Sequence, residues 1–147
     1  MDTRLDLFAA TPPLEAKKFL FSRAVSSRAD SGKPYKIAFI DIKRAYFHAK
    51  AIRDVYVDLP SQDWEEGMCG KLEKSMYGTR DAAQNWEREY ESAFLDLKFR
   101  QGKSSPCLFY HPDRDIRVVV HGDDMTCLGD EDNLKWLSSE LSKRYEL

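Results

Sequence analysis

The stretch Arg117-Val118-Val119-Val120-His121-Gly122-Asp123-Asp124-Met125-Thr126-Cys127-Leu128 reads as two apolar strands around a tight turn. β-Branched runs favour strands, and Gly and Asp suit the backbone of a two-residue turn. Adjacent carboxylates in such a turn are common and need no chemistry. Here the flanking strands look too apolar for a hairpin standing free in solvent. The turn is expected to emerge from a core.

Working outward, Cys107-Leu108-Phe109-Tyr110 reads as a further strand and Pro112-Asp113-Arg114-Asp115 as the turn between. After the hairpin comes a helix capped near Asp130 or Asp132, with Leu134, Leu137, Leu141 and Tyr145 on one side. Upstream lies the clearest helix. Ala82, Trp86, Tyr90, Ala93, Phe94 and Leu97 recur at steps of three and four, with Thr79 or Asp81 as cap. Residues 37–40 form a short apolar run, expected as a buried strand ending at Asp41. Residues 55–59 alternate as a strand closed by Pro60, and residues 70–74 are expected to pair back on it beyond a polar loop. Thr11-Pro12-Pro13-Leu14-Glu15 starts a first helix, capped by Thr11 and running to about residue 27. A loop over residues 26–34 follows.

The order is helix, strand, hairpin, helix, strand, hairpin, helix. Hairpins imply antiparallel pairing, and the helices must cover one face of the sheet. The expected class is α+β, resembling the split βαβ arrangement.

The chain has 147 residues, 42% hydrophobic and 33% charged, which fits one domain with one core. No apolar run approaches the roughly 18 residues of a membrane span. The start, Met1-Asp2-Thr3-Arg4-Leu5-Asp6, lacks the apolar stretch of a secretory leader. These features place the protein inside the cell, without a membrane partner. Cys69, Cys107 and Cys127 are odd in number and far apart, and suggest neither a disulfide framework nor zinc. His48, His111 and His121 are equally scattered. The net charge of −2 argues against a nucleic-acid binder, but the charge is uneven. Residues 1–53 carry 11 basic against 5 acidic residues, a balance of +6, and the rest a balance of −8. A basic first third can face phosphates, or simply be a solvated face.

Three segments carry candidate chemistry. Asp41 ends a strand and precedes a tight turn, so its carboxylate sits on a rigid element, as a metal ligand must; alone, it reads as a helix cap. Asp123-Asp124 is the second. The third is Lys74-Ser75-Met76-Tyr77-Gly78-Thr79-Arg80, running into the helix with Trp86. Gly78 permits close approach to its backbone. Arg80 puts a cation at a helix start, where the dipole disfavours it, which invites an anionic partner.

Together these segments resemble, in the right order, the catalytic motifs of reverse transcriptases. Asp41-Ile42-Lys43-Arg44-Ala45-Tyr46-Phe47 resembles the first palm motif, an Asp with an aromatic five residues later. Gly122-Asp123-Asp124-Met125 resembles the Y-V-D-D-M motif. Residues 74–80 look like the K-S-L-Y-G-L-K signature of the copia-type class, with Trp86 where that signature has its Trp. Residues 99–110 resemble the strand before the Asp-Asp hairpin, and the similarity runs from about Asp6 to Leu147. The departures are Asp81 for Gln, Ala82-Ala83-Gln84 for Ala-Pro-Arg, His121 for the aromatic and Gly122 for Val. They fall among template and primer contacts and leave the three carboxylates in place.

The resemblance implies a polymerase palm, one partial domain over residues 1–147 that lacks most of the fingers, the thumb and RNase H. It implies an RNA-directed DNA polymerase acting on an RNA template, a DNA primer and a dNTP, alongside integrase and RNase H of a Pol polyprotein, in the cytoplasm or nucleus. Asp41, Asp123 and Asp124 would hold two Mg2+ ions, with Mn2+ as a substitute. One ion would activate the primer 3′-hydroxyl and the other stabilise the leaving pyrophosphate. Tyr46 would gate the sugar, and Ile42, Lys43, Arg44 and Ala45 would border the triphosphate. Gly78, Arg80, His121, Gly122 and Met125 would meet template, primer or nucleotide. Three readings compete: a truncated, catalytically inactive remnant that folds and binds nucleic acid weakly, another palm-like nucleotidyl transferase or cyclase, and a plain interaction domain whose aspartates only make turns.

Overall fold

The computed structural model describes residues 9–147. Residues 1–6, which lack the pattern of a secretory leader, lie outside the described residues. Seven strands and four helices follow in chain order. They are α1 (Leu14–Ser26), β1 (Lys36–Asp41), α2 (Ala45–His48), β2 (Tyr56–Val57), β3 (Gly70–Lys71), α3 (Ala82–Asp96), β4 (Arg100–Gln101), β5 (Leu108–His111), β6 (Ile116–His121), β7 (Asp124–Gly129) and α4 (Glu131–Ser142).

One antiparallel sheet has the order β1-β7-β6-β5-β4, and β2 with β3 forms a separate two-stranded ribbon. The class is the α+β arrangement expected. The chain reverses at the hairpins, and β1 then adds at the edge beside β7. Strand alternation sorts the side chains onto two faces. Ile40, Phe109, Ile116, Val118, Val120, Met125 and Cys127 face the main core with Trp86, Tyr90 and Phe94 of α3 and Leu134, Leu137 and Leu141 of α4. Ile37, Leu108, Val119 and Leu128 face the other side and meet Leu20 of α1 in a smaller cluster. So α3 and α4 share one face as expected, but α1 lies across the second, where the helices were expected to cover one face alone.

Three local expectations need correction. The cap of α1 is Pro13, whose carbonyl accepts from the Ala16 N–H at 3.0 Å, and no side chain caps the helix. Thr11 lies too far upstream, because two prolines in succession delay the first turn. Residues 37–40 form a strand, but not a buried one: Ile40 is buried and Phe39 is 71% exposed. An edge strand whose outer face α1 covers only in part leaves such a side chain in the open. Asp81 is the N-cap residue of α3 without a capping bond; its carboxylate instead takes the Arg53 guanidinium at 3.0 Å and Asn85 Nδ2 at 3.3 Å. At α4 the cap is as expected, with the Asp130 side chain accepting from the Asn133 N–H.

Among the described residues no helix is long and apolar enough to cross a membrane. Cys107 and Cys127 are buried free thiols and Cys69 is exposed. The basic excess of the first third is answered in part by distant acids. Lys33 pairs with Asp132, Lys36 with Glu131, and Lys43 and Arg44 with Glu146.

Candidate metal centre

Asp41 is the last residue of β1 and Asp124 the first of β7, and the register sets them directly opposite each other. Asp123 lies in the two-residue turn between His121 and Asp124. Gly122, at φ 65°, supplies the left-handed backbone that such a turn needs. The result is one group: a ligand oxygen from each of Asp41, Asp123 and Asp124 lies within 4.8 Å of the others, and all three residues are exposed.

The backbone beneath them is anchored from the core. The Trp86 indole N–H of α3 donates to the Gly122 carbonyl at 2.8 Å. The Ile42 N–H donates to the Asp123 carbonyl at 3.2 Å, extending the β1–β7 ladder one residue further. Ile42 and Met125 turn their side chains into the core, at 0% and 1% exposure, so what they present to the site is backbone. Ala45 is likewise fully buried. Arg44, at φ 55°, makes the left-handed step into α2.

Tyr46 sits half-buried on α2, with its ring 4.3 Å from that of Tyr77. Burial, and then the Asp123 charge, push its hydroxyl pKa up. Tyr77 also meets Phe47 edge-on at 5.6 Å, so the loop before Gly78 packs against α2. That loop is pinned behind by the Ser75 N–H on the Ala49 carbonyl and by Asn85 Nδ2 on Ser75 Oγ at 2.9 Å. Gly78 has φ 88° and is exposed, as is Arg80. His121 is exposed at the strand end opposite Asp124.

A groove of about 410 Å³ opens on the carboxylates, lined by Lys17, Phe21, Phe39, Asp41, Asp124 and Thr126. Lys17, Phe21 and Phe39 were not expected to line the site, although Phe39 shares a face with Asp41 by simple alternation. The role of Trp86 beneath the turn and the contact of Glu146 with Lys43 and Arg44 were missed as well. Both are long-range pairings that no local pattern announces.

The donor set is all oxygen, with no His or Cys, and so fits a hard divalent cation such as magnesium or manganese. Carboxylates so close repel unless one is protonated or a cation joins them.

The family model described as reverse transcriptase (RNA-dependent DNA polymerase) matches residues 7–147. The retrovirus-related Pol polyprotein from transposon TNT 1-94 of Nicotiana tabacum is 26% identical over 115 residues, covering 74% of this chain. The matched part is 9% of that polyprotein, so the chain spans a small part of its relative. No solved structure matches. On the family match over nearly its whole length, the chain belongs to the reverse transcriptase (RNA-dependent DNA polymerase) family, of the copia type.

Proposed function

We propose that this chain is the catalytic palm of an RNA-directed DNA polymerase, in which Asp41, Asp123 and Asp124 hold two magnesium ions for nucleotidyl transfer. One observation carries the reading: acids 82 residues apart in sequence converge within 4.8 Å at the end of a rigid sheet. Bound magnesium supplies charge neutralisation for a triphosphate and lowers the pKa of a primer hydroxyl.

The chain's own residues do the positioning. Asp41 and Asp124 are fixed by cross-strand register, and Asp123 by a turn tied down through Trp86 and Ile42. Rigid placement of this kind is what a metal centre needs, because errors of about 1 Å are costly in catalysis. The Tyr46 ring, backed by Tyr77, would form the floor under a deoxyribose, and a 2′-hydroxyl would collide with it. The backbone of Arg44 and Ala45 borders the triphosphate. The partners are an RNA template, a DNA primer and the remainder of a Pol polyprotein, a reading supported by the name of the tobacco relative.

Titration of the protein with magnesium or manganese, followed by primer extension on poly(rA)/oligo(dT), tests the reading. Asp123→Asn should remove ion binding and abolish extension. A wild-type protein that takes up neither ion would sink the proposal. In an extending form, Tyr46→Ala should admit ribonucleotides more readily, and an unchanged ribo/deoxy preference would remove Tyr46 from the sugar site.

A further inference from the structure

Beside the acidic trio two cations share one carboxylate. Lys43 and Arg44 follow Asp41 on the turn into α2. Glu146, from the segment after α4, reaches both. One carboxylate oxygen lies 3.6 Å from Lys43 Nζ and the other accepts from the Arg44 guanidinium. The backbone fixes the meeting, for the Lys43 N–H donates to the Glu146 carbonyl at 2.9 Å. Next to it, Tyr145 is buried edge-on to Trp86 at 5.4 Å and to His48 at 5.1 Å, and its hydroxyl meets Glu89 at 3.1 Å. The segment carrying Glu146 is therefore held by the core, while its carboxylate stays in solvent.

The Lys43 and Arg44 side chains are 55% and 68% exposed, so an outside anion can reach them. The Arg44 guanidinium holds the Glu146 carboxyl below the usual carboxylate range, so it is charged at neutral pH. One carboxylate faces two cations. A chain of phosphates brings more negative charge and more acceptor oxygens to the same pair.

We propose that Glu146 is an internal stand-in for a polyphosphate: it occupies the Lys43–Arg44 pair in the unliganded protein and yields it when the phosphates of a nucleotide arrive. The inference rests on the polymerase reading for the nucleotide, and on the basic pair alone for the polyphosphate. In this arrangement Glu146 weakens binding and favours release of the charged product, because the pair never stands empty. It is a positioning residue that acts through the two cations.

Inorganic tripolyphosphate is the probe, titrated calorimetrically into the full chain in EDTA. An Asp123→Asn/Asp124→Asn background keeps the neighbouring carboxylates from repelling it. Glu146→Gln should bind tripolyphosphate about two- to fivefold more tightly than its parent, the scale of one exposed ion pair. Glu146→Lys should bind more tightly still, and circular dichroism of both variants checks that each is folded. Lys43→Gln with Arg44→Asn should lose most of the binding; Asn is chosen because it tolerates the left-handed backbone at Arg44. Equal affinity with and without the Glu146 carboxylate, binding that survives loss of both cations, or no binding in any variant would each overturn the proposal. Magnesium uptake by the wild-type trio is read separately, so the failure of either idea leaves the other standing.

Discussion

At the start of β6, Asp115 is 4% exposed and surrounded by donors; at its end, Asp123 and Asp124 stand in solvent with Asp41. Asp115 accepts from the Tyr35 hydroxyl, from the Asp30 N–H at 3.0 Å and from the Arg117 guanidinium at 2.6 Å. Burial alone would push its pKa up, but these donors outweigh it and hold the carboxyl below its usual range. The hairpin end is built the other way round. Its donors, Trp86 and Ile42, hold carbonyls of the turn, and no cation pairs with the three carboxylates among the described residues. Turn aspartates at one end are used up inside the fold. At the other end the backbone is held and the side chains are left for something from outside.

The sharpest test of this contrast is Asp115→Ala. It leaves the partly buried Arg117 without its carboxylate and the buried Tyr35 hydroxyl without its acceptor, and puts Ala at φ 49°. Removing one partner of a buried pair typically costs about 3–5 kcal/mol, and a loss of that order is expected in urea unfolding. Asp115→Asn, which tolerates the backbone, should lose less. The pH dependence follows from the lowered pKa. The stabilisation by Asp115 is present above the unfolded carboxylate pKa of about 4 and is lost as pH falls through the lower folded value. Wild-type stability should therefore fall more steeply below about pH 4 than that of Asp115→Asn. Equal acid slopes would mean that Asp115 is not a charged anchor, and the contrast would collapse.

A smaller effect probes how the hairpin end is held. Trp86→Phe keeps most of the packing against Tyr90 and Tyr145 but leaves the Gly122 carbonyl without its donor. A lost hydrogen bond to a part-buried group, plus a trimmed ring, should cost about 1–2 kcal/mol. Amide exchange over residues 121–124 should quicken more than in β5. Unchanged exchange there would show that the turn does not depend on α3.

How much of this could be read from residues alone follows the range of each interaction. The apolar runs around Gly122-Asp123-Asp124 marked β6 and β7, and the three-and-four spacing from Ala82 to Phe94 marked α3, because both patterns are local. The convergence of Asp41 on the doublet was expected from motif order, while the register that produces it, Asp41 opposite Asp124, is a sheet property. Phe39 was expected inside because its neighbours are apolar, yet it lies on the side of an edge strand that α1 leaves partly bare. The short α2 and β4 have too few residues to show a period. Asp115 looked like an ordinary turn residue. Its partner Tyr35 lies 80 positions away, and nothing near either residue signals the pair.

The smallest effect has the opposite sign to the first and completes the comparison. In the ion-free protein the carboxylates of Asp41, Asp123 and Asp124 crowd within 4.8 Å, with no cation paired to them among the described residues. Unit charges about 4 Å apart repel by about 1 kcal/mol even in bulk water. Asp123→Asn or Asp124→Asn should therefore leave the unfolding midpoint in EDTA unchanged or slightly raised. Magnesium should raise the midpoint of the wild-type protein, and the same substitutions should remove that rise, since a ligand stabilises only the state that binds it. The lift in EDTA should shrink with added salt, because exposed charges are screened. If Asp124→Asn instead destabilised the fold as Asp115→Asn does, the hairpin acids would be structural too, and the case for a site kept open at that end of the sheet would fail.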